Sequence, residues 1–393
     1  MTVHGNPLRS EDVRMKNEKI ILHAIQQSSQ ISQSRIVKLT GLKAPTVLRI
    51  FTYLEEQGLI MLADFTEGGS ERKGRRPVYY QVNPQAHYVI GIEMYSKEIS
   101  IVVVDFAKQP VYSKNVSDAG FRDADELFAM VCTLIREALS TLGLDRKQVL
   151  GIGVGAPGRV KVSNGEIIFY ARVRNLENYP MGSMLEEEFS LPVQVNNNAS
   201  VVALNAYRRG LAGESQSLLT FLIRTGVGGG YIYHGKLMTP QERTAVELGH
   251  ISPDRNGRPC GCGAQGCIES YLSEVALLED AASELKTASL EELDELVGQQ
   301  DPKAAAFIEE RGRYLALGAR DLYRLFAPDT MLIITRYKHI AESYAKTVYD
   351  LLKNDAFLHK EQGLLVLPGV YDPLEACRGA ADLIFASYFM QEV

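Results

Sequence analysis

The amino-acid sequence predicts an α/β protein with a small, mainly helical segment in front of its main sheet region. Apolar residues recur at helical spacing between Ile20 and Leu54. From Tyr88 onward, apolar strand segments alternate with helical segments, which is the pattern of an α/β sheet. Three cysteines and a histidine then cluster within residues 250–267. At 393 residues, the chain is long enough for two or three domains.

Composition and charge narrow the class of protein. Apolar content is 46% and charged content 23%, as in ordinary globular proteins. No apolar run approaches the roughly 18 residues of a membrane helix, and the polar N-terminus is unlike a secretory signal, so we expect a cytoplasmic protein without membrane association. Residues 1–84 carry 12 Lys and Arg against 8 Asp and Glu, whereas the remainder carries 30 against 40. A basic segment on an acidic protein indicates an anionic partner, first of all nucleic acid.

The N-terminal segment predicts three short helices, over residues 17–29, 32–40 and 45–57. Ser32 is suited to cap the second helix and Gly41 to end it. Pro45 fits the first turn of the third helix, where a missing N–H costs nothing. Two helices joined by a short turn that contains glycine have the layout of a helix-turn-helix.

The third helix would present a polar face to DNA. Its apolar residues turn inward and leave these residues on the solvent side: Thr46, Arg49, Thr52 and Tyr53. On the DNA-binding interpretation they enter the major groove, where Arg49 reads guanine edges or binds phosphate. A merely solvated helix face is the alternative.

A β-wing is predicted after these helices. A strand after Gly58 and a second strand over 78–82 flank a polar loop. The tip of that loop carries four cations: Arg72, Lys73, Arg75 and Arg76. Cations on a wing beside a helix-turn-helix favour contact with phosphates and with a narrow minor groove. Residues 1–84 are therefore predicted to be a winged helix-turn-helix domain that binds double-stranded DNA.

The cysteine cluster predicts a structural zinc site. Its ligands follow the spacing His-x9-Cys-x-Cys-x4-Cys: His250, Cys260, Cys262 and Cys267. Three thiolates and one imidazole complete a tetrahedral zinc site and leave no open position for catalysis. Disulfide pairing and free buried cysteines are the alternatives, but three clustered cysteines cannot all pair among themselves. Cys132 and Cys377 lie in apolar helical patterns and are expected in the core.

The main region predicts a hydrophobic strand pair, a helix and a further strand, over residues 89–93, 99–106, 124–142 and 149–154. Glycine-rich segments are expected as loops at strand ends, in Gly153-Val-Gly-Ala-Pro-Gly158 and Thr225-Gly-Val-Gly-Gly-Gly230, with Val195-Asn-Asn-Asn198 between them. Residues 275–312 are helix-rich and charged, and we expect them to pack beside the zinc loop.

Together with Glu247-Leu-Gly-His250 and the cysteine run, these motifs resemble the ROK family of repressors, open reading frames and sugar kinases. The resemblance covers essentially the whole chain, including the winged helix-turn-helix that the family's regulator branch adds in front. Within that branch, the chain is similar to the xylose-, N-acetylglucosamine- and glucose-type repressors. It implies that residues 85–393 form an actin-like, hexokinase-type (ribonuclease H-like) sensor domain. In that fold, a sugar lies in the cleft between two α/β lobes.

Three departures from the kinase pattern argue against phosphoryl transfer. Kinase members open this domain with Asp-x-Gly-Gly-Thr, where this chain has Glu93-Met-Tyr-Ser-Lys97, so close approach of phosphates should be blocked. They carry Asn-Asp where this chain has Asn197-Asn198, and an amide cannot serve as the general base. The glycine pair that receives adenosine is replaced by Ile334-Thr-Arg-Tyr337. We therefore expect no enzyme activity and no catalytic residues.

The resemblance implies a better-preserved sugar pocket. The residues at the family's sugar-binding positions are Asn175, Asn197, Asn198, Glu247, His250 and Glu269. Amides and carboxylates suit a polyol because each forms paired hydrogen bonds with neighbouring hydroxyls. His250 would serve twice, with one ring nitrogen on zinc and the other facing the ligand.

The sequence thus predicts a transcriptional regulator, a repressor of carbohydrate-utilisation genes, that senses a sugar or sugar derivative. We expect a homodimer or homotetramer that reads a pseudo-palindromic operator. Two alternatives stay open at this stage: an ATP-dependent sugar kinase that retains a DNA-binding head, and a family regulator controlled by a protein partner instead of a sugar.

Overall fold

A computed structural model describes residues 10–63, 78–95, 98–117, 119–213, 215–238, 246–355 and 363–389. Its α-helices are α1 (Ser10–Gln26), α2 (Gln33–Thr40), α3 (Ala44–Glu56), α4 (Ala124–Leu142), α5 (Met181–Phe189), α6 (Asn198–Arg208), α7 (Glu269–Leu272), α8 (Glu274–Glu284), α9 (Leu290–Gly298), α10 (Pro302–Phe326), α11 (Lys338–Lys353) and α12 (Pro373–Tyr388). Short 3-10 helices lie at Arg146–Gln148 and Leu248–His250. No helix in these ranges is both long and apolar enough to cross a membrane.

The strands of the N-terminal part and the first lobe are β1 (Ile31–Ser32), β2 (Ile60–Leu62), β3 (Tyr79–Val82), β4 (Tyr88–Tyr95), β5 (Glu98–Asp105), β6 (Pro110–Val116), β7 (Val149–Ala156), β8 (Arg159–Lys161), β9 (Glu166–Phe169), β10 (Glu177–Tyr179) and β11 (Val193–Asn197). The strands of the second lobe are β12 (Ser217–Ile223), β13 (Val227–Tyr233), β14 (Lys236–Leu237), β15 (Thr330–Thr335) and β16 (Leu365–Val370).

The N-terminal part contains α1–α3 and a small sheet in the order β1-β3-β2. The N–H of Arg35 donates to the Ser32 hydroxyl at 3.4 Å at the start of α2, and Gly41 ends α2 in the left-handed conformation. Pro45 lies in the first turn of α3. The second and third helices therefore form where the sequence predicted them. The first begins earlier than predicted, at Ser10, and ends at Gln26.

The main region consists of two lobes whose sheets share one topology. The first sheet has the order β11-β7-β4-β5-β6 and the second the order β14-β13-β12-β15-β16. In each, three antiparallel strands are followed by two parallel strands. This repeated α/β unit is the actin-like architecture that the resemblance implied. The predicted helix over 124–142 is confirmed as α4.

Helix α12 lies against the first sheet because glycines leave room for its backbone. A Cβ at Gly91 in β4 would collide with the Cys377 carbonyl, and one at Gly153 in β7 with the Ala380 carbonyl. The prediction that the glycine-rich segments are loops is therefore partly wrong. Gly153 lies within β7, and Gly228–Gly230 lie within β13, where α6 packs closely.

The N-terminal part and the first lobe share one apolar core. Ile21 and Ile25 of α1 belong to the same buried cluster as Phe106, next to β5, and Phe385 of α12. The Gln26 side-chain amide donates to the Phe106 carbonyl at 2.9 Å. The position of α1 is thus tied to the first lobe.

Candidate metal centre and ligand cleft

The four predicted metal ligands converge in the structure. The ligand atoms of His250 and the three cysteines lie within 4.8 Å of one another. The Cys262 and Cys267 sulfurs are 3.7 Å apart, and the Cys260 sulfur is 3.6 Å from His250 Nδ1. Two thiolates on one tetrahedral zinc lie about 3.7 Å apart, given Zn–S bonds of about 2.3 Å. The group is therefore arranged to hold a metal ion.

The loop that carries these ligands is held by its own backbone. The N–H of Cys260 donates to the Ala264 carbonyl at 2.8 Å, and the N–H of Ile268 donates to the Ile251 carbonyl at 3.0 Å. Helix α7 begins at Glu269, two residues after the last cysteine. Because of this spacing, the metal loop fixes the position of the Glu269 carboxylate.

Two carboxylates lie beside the metal loop. The N–H of Val227, at the start of β13, donates to Glu269 Oε2 at 2.9 Å. Glu247 precedes the 3-10 helix that ends at His250, and the residue as a whole is exposed. Its carboxyl group is nevertheless partly surrounded by protein, and this desolvation raises its pKa; His250 and Arg159 oppose that shift, and the Glu269 carboxylate adds to it. Arg159, which sequence reasoning missed, directly follows the Gly158 that closes a glycine-rich motif.

The predicted asparagines occupy different environments. Asn197 caps α6: its Oδ1 accepts the Ala199 N–H at 2.9 Å, and its Nδ2 donates to the Gly158 carbonyl at 2.7 Å. Asn198 follows it and is only 9% exposed. Asn175 is exposed and adopts a left-handed backbone with φ +60°. Asn197 thus joins α6 to Gly158, directly before Arg159 at the start of β8.

A buried ion pair joins Glu93 of β4 to Arg224, which directly follows β12. The Arg224 guanidinium donates to Glu93 Oε1 at 2.8 Å, and both side chains are at most 2% exposed. The guanidinium carbon of Arg224 lies 3.4 Å from the Tyr95 ring centroid and 4.1 Å from that of Tyr371. Burial disfavours the charge on Arg224, but Glu93, aided by Tyr371 and Tyr95, raises its pKa above the ordinary value. Sequence reasoning missed Arg224, although a cation directly after the apolar strand β12 was a visible signal.

A second ion pair joins the same two lobes. Arg336, which follows β15, donates to both oxygens of Glu98 on β5, at 3.1 and 2.6 Å. Its guanidinium also lies 3.6 Å from Glu274 at the start of α8. The Tyr95 hydroxyl contacts the Thr225 side chain and backbone across the same boundary. These contacts therefore join the two lobes close to the buried Arg224.

The predicted DNA-reading residues of α3 are unequally exposed. Arg49 and Thr52 are exposed, whereas Thr46 and Tyr53 are half-buried. The guanidinium carbon of Arg14 lies 5.3 Å from the Tyr53 ring centroid, so this ring faces α1. Leu48, which was not predicted, is 54% exposed on the same helix. The wing cations Arg72, Lys73, Arg75 and Arg76 lie outside the described residues.

The comparison with family models decides what kind of domain this is. The model of the ROK family matches residues 89–386, which is most of the chain. The chain belongs to the ROK family. The xylose repressor of Caldicellulosiruptor bescii is 26% identical over 356 residues, which are 87% of this chain and 88% of that protein. Since the match is longer than the ROK domain, it also includes part of the chain in front of that domain.

Solved structures of ROK proteins share the fold. A ROK family transcriptional regulator described as a homologue of the Escherichia coli Mlc protein superposes with a TM-score of 0.79 at 21% identity, over 96% of this chain and 97% of that one. A ROK family glucokinase from Streptomyces griseus, solved with glucose and AMPPNP, gives 0.64 at 25% identity, over 75% of this chain and 98% of that one. The kinase thus matches the two lobes, and the regulator matches nearly the whole chain.

Proposed function

We propose that this protein is a DNA-binding transcriptional repressor of carbohydrate-utilisation genes and that its ROK domain senses a sugar without phosphorylating it. Residues 1–84 are the winged helix-turn-helix head, and residues 85–393 are the sensor. The buried Arg224–Glu93 pair carries the proposal: Glu93 stands where kinase members carry the Asp of Asp-x-Gly-Gly-Thr, and its carboxylate is buried here against a cation. The similarity to repressors over more than 80% of the chain supports it.

The sugar pocket consists of Asn175, Asn197, Asn198, Glu247, His250 and Glu269. Glu269 can offer its second oxygen to a sugar hydroxyl, since Oε2 accepts the Val227 N–H. His250 Nδ1 faces the cysteine sulfurs, which leaves Nε2 for the ligand. Arg159 is an additional polar group beside Glu247.

Zinc is the metal that this ligand set fits. Three cysteines and one histidine favour zinc over magnesium or calcium, which prefer oxygen ligands, and four protein ligands leave no position for a catalytic water. When bound, zinc supplies structural rigidity. It holds His250 in one tautomer and fixes Glu269 through the short segment that follows Cys267.

On the DNA side, Arg49 and Thr52 of α3 contact base edges in the major groove, with Thr46 and Tyr53 at the margins of the contact. Leu48 adds an apolar surface suited to a thymine methyl group. The wing cations contact phosphates and the minor groove. A symmetric dimer would place two heads on half-sites about one helical turn apart.

The proposal is tested by fluorescence anisotropy with the purified, zinc-loaded protein. DNA from the region upstream of its own gene is compared with a shuffled duplex of equal length at moderate salt, with and without a panel of pentoses and hexoses. We expect preference for the upstream DNA and weaker binding with one sugar. Equal affinity for both duplexes would contradict a role as an operator-binding protein. The Glu269→Gln variant should keep DNA binding but lose the sugar response.

A further inference from the structure

A cavity of about 570 Å³ lies where α1, the first lobe and the second lobe meet. The residues that line it are His23, Gln27, Lys108, Tyr207, Arg208, His234, Gly235, Lys236, Phe385 and Phe389. They come from α1, the β5–β6 turn, the end of α6, the β13–β14 turn and the C-terminal part of the chain. The cavity is separate from the metal loop and shares no residue with the predicted sugar pocket.

The charge of this cavity is opposite to that of the whole protein, which carries −6. Lys108, Arg208 and Lys236 contribute three cations to its wall. Asp382 pairs with two of them: Lys108 Nζ lies 2.8 Å from Asp382 Oδ1, and Arg208 Nη1 lies 3.4 Å from the same oxygen. Because these two cations share one carboxylate, the three groups together keep a net positive charge.

These cations also affect the pKa of His23 on α1. Burial lowers the pKa of His23 to about 4, and the Lys108 and Arg208 cations add to the shift while Asp382 opposes it. His23 is therefore neutral near pH 7, and its Nε2 lies 3.1 Å from the side-chain nitrogen of Gln27, another residue of the cavity wall. The Phe385 and Phe389 rings form an apolar wall beside these polar groups.

We propose that this cavity binds a small phosphate-bearing molecule, which Lys108, Arg208 and Lys236 hold from three sides. A phosphate group offers several acceptor oxygens to cations that come from different directions, and charge-assisted hydrogen bonds to such cations are the strong kind. The Phe385 and Phe389 wall suits an organic group attached to the phosphate. A ligand here contacts α1 and both lobes at once, so, on the proposed repressor function, it also adjusts how the head is held.

Isothermal titration calorimetry on the full-length, zinc-loaded protein tests the site without DNA. Inorganic phosphate and phenyl phosphate are the probes, at low ionic strength. Lys236 is exposed at the start of the short edge strand β14, so Lys236→Gln should fold normally. We expect this variant to weaken phenyl phosphate binding about tenfold, which equals about 1.4 kcal/mol. The matched control is Lys346→Gln, which removes an exposed lysine paired with Asp350 on α11 and should leave the affinity unchanged.

Tighter binding of phenyl phosphate than of inorganic phosphate would assign the site to a phosphorylated organic molecule, and equal binding would assign it to free phosphate. No heat from either probe, or equal affinities of the Lys236→Gln and Lys346→Gln proteins, would overturn the proposal. It would also fall if Lys236→Gln lowered DNA affinity and left phosphate binding intact, since that result assigns the surface to DNA. Failure of the repressor function itself would appear separately, in the anisotropy experiment.

Discussion

Arg224 and Glu93 form an ion pair that lies almost entirely out of water. Taking both charges out of water costs free energy, and their attraction repays that cost only while both partners are present. The two aromatic rings beside the guanidinium add cation–π contacts to the pair. Loss of one partner should therefore destabilise the fold strongly. The intact pair nevertheless contributes little more to the free energy of unfolding than apolar residues of similar size would.

Removing one partner of this pair should destabilise the protein more than removing both. Arg224→Met leaves Glu93 buried without its cation and should cost about 3–5 kcal/mol. The double variant Arg224→Met/Glu93→Leu should regain most of that loss, because no buried charge remains. Urea unfolding of the wild type, of Arg224→Met, of Glu93→Leu and of the double variant measures the free energy of unfolding of each protein. A double variant as unstable as the sum of the single variants would show that the pair contributes through packing instead.

The metal ligands were predictable from the sequence, whereas this ion pair was not. His250 and the three cysteines lie within 18 residues of one another, and their chemistry identifies them before the fold is known. Arg224 and Glu93 are 131 residues apart and meet only because two lobes come together. Spacing along the chain holds no information about such a contact, and neither residue belongs to a motif by itself.

At the scale of elements, the proposed metal loop leads directly into helix α7. Cys260 and Cys262 lie on a loop whose other end runs through Cys267 into α7. Cys260→Ser should lower bound zinc from one ion per chain to well below one and reduce the melting temperature, because structural zinc contributes folding free energy directly. Zinc content by atomic emission and a thermal melt measure both.

The matched control is Cys132→Ser, which changes a buried cysteine of α4 distant in sequence from the loop. It should keep a full complement of zinc even if it melts earlier. Zinc content that stays at one ion per chain in Cys260→Ser would contradict the assignment of Cys260 as a ligand. A chelator should lower the melting temperature of the wild type and have little effect on the Cys260→Ser protein.

The buried face of helix α3 sets which of its residues are exposed for the proposed contact with DNA. Val47, Ile50 and Leu54 are packed as the helical spacing predicted, and this leaves Arg49 exposed. Arg49→Ala should weaken operator binding by about 1–3 kcal/mol if Arg49 reads a base edge. If Arg49 contacts phosphate instead, the variant should lose affinity for all DNA sequences about equally. The slope of log affinity against log salt concentration should then fall by about one.

Anisotropy titrations at several salt concentrations separate these outcomes. Arg313→Ala is the control, since Arg313 is an exposed arginine on α10 that pairs with Glu309 at 3.2 Å. Unchanged DNA affinity in Arg49→Ala would remove α3 from the proposed interface.

At the scale of the whole molecule, the N-terminal helices and the first lobe share one buried apolar cluster. This cluster joins α1 to Phe106 and to α12. The sequence predicted both parts but not this junction, because Phe106 and Phe385 have the pattern of ordinary core residues. The shared topology of the two sheets was also beyond the sequence, since the two halves keep the order of strands without an evident repeat of residues.

The same view of the whole molecule explains why restoring one catalytic group should not restore catalysis. Asn198→Asp returns the carboxylate that the kinase pattern places at this position. Phosphoryl transfer also needs room and cations for the nucleotide phosphates, and transfer depends almost entirely on their positioning. In this chain Glu93 and Tyr95 belong to the segment that replaces Asp-x-Gly-Gly-Thr, both contact Arg224, and the Arg336–Glu98 pair joins the lobes nearby. A coupled ADP-release assay over a panel of hexoses should therefore give no sugar-dependent turnover for Asn198→Asp or for the wild type, with the Streptomyces griseus glucokinase as the active control. Turnover in the variant alone would mean that only the missing base separates this chain from a kinase, and turnover in both would make the protein an enzyme with a DNA-binding head.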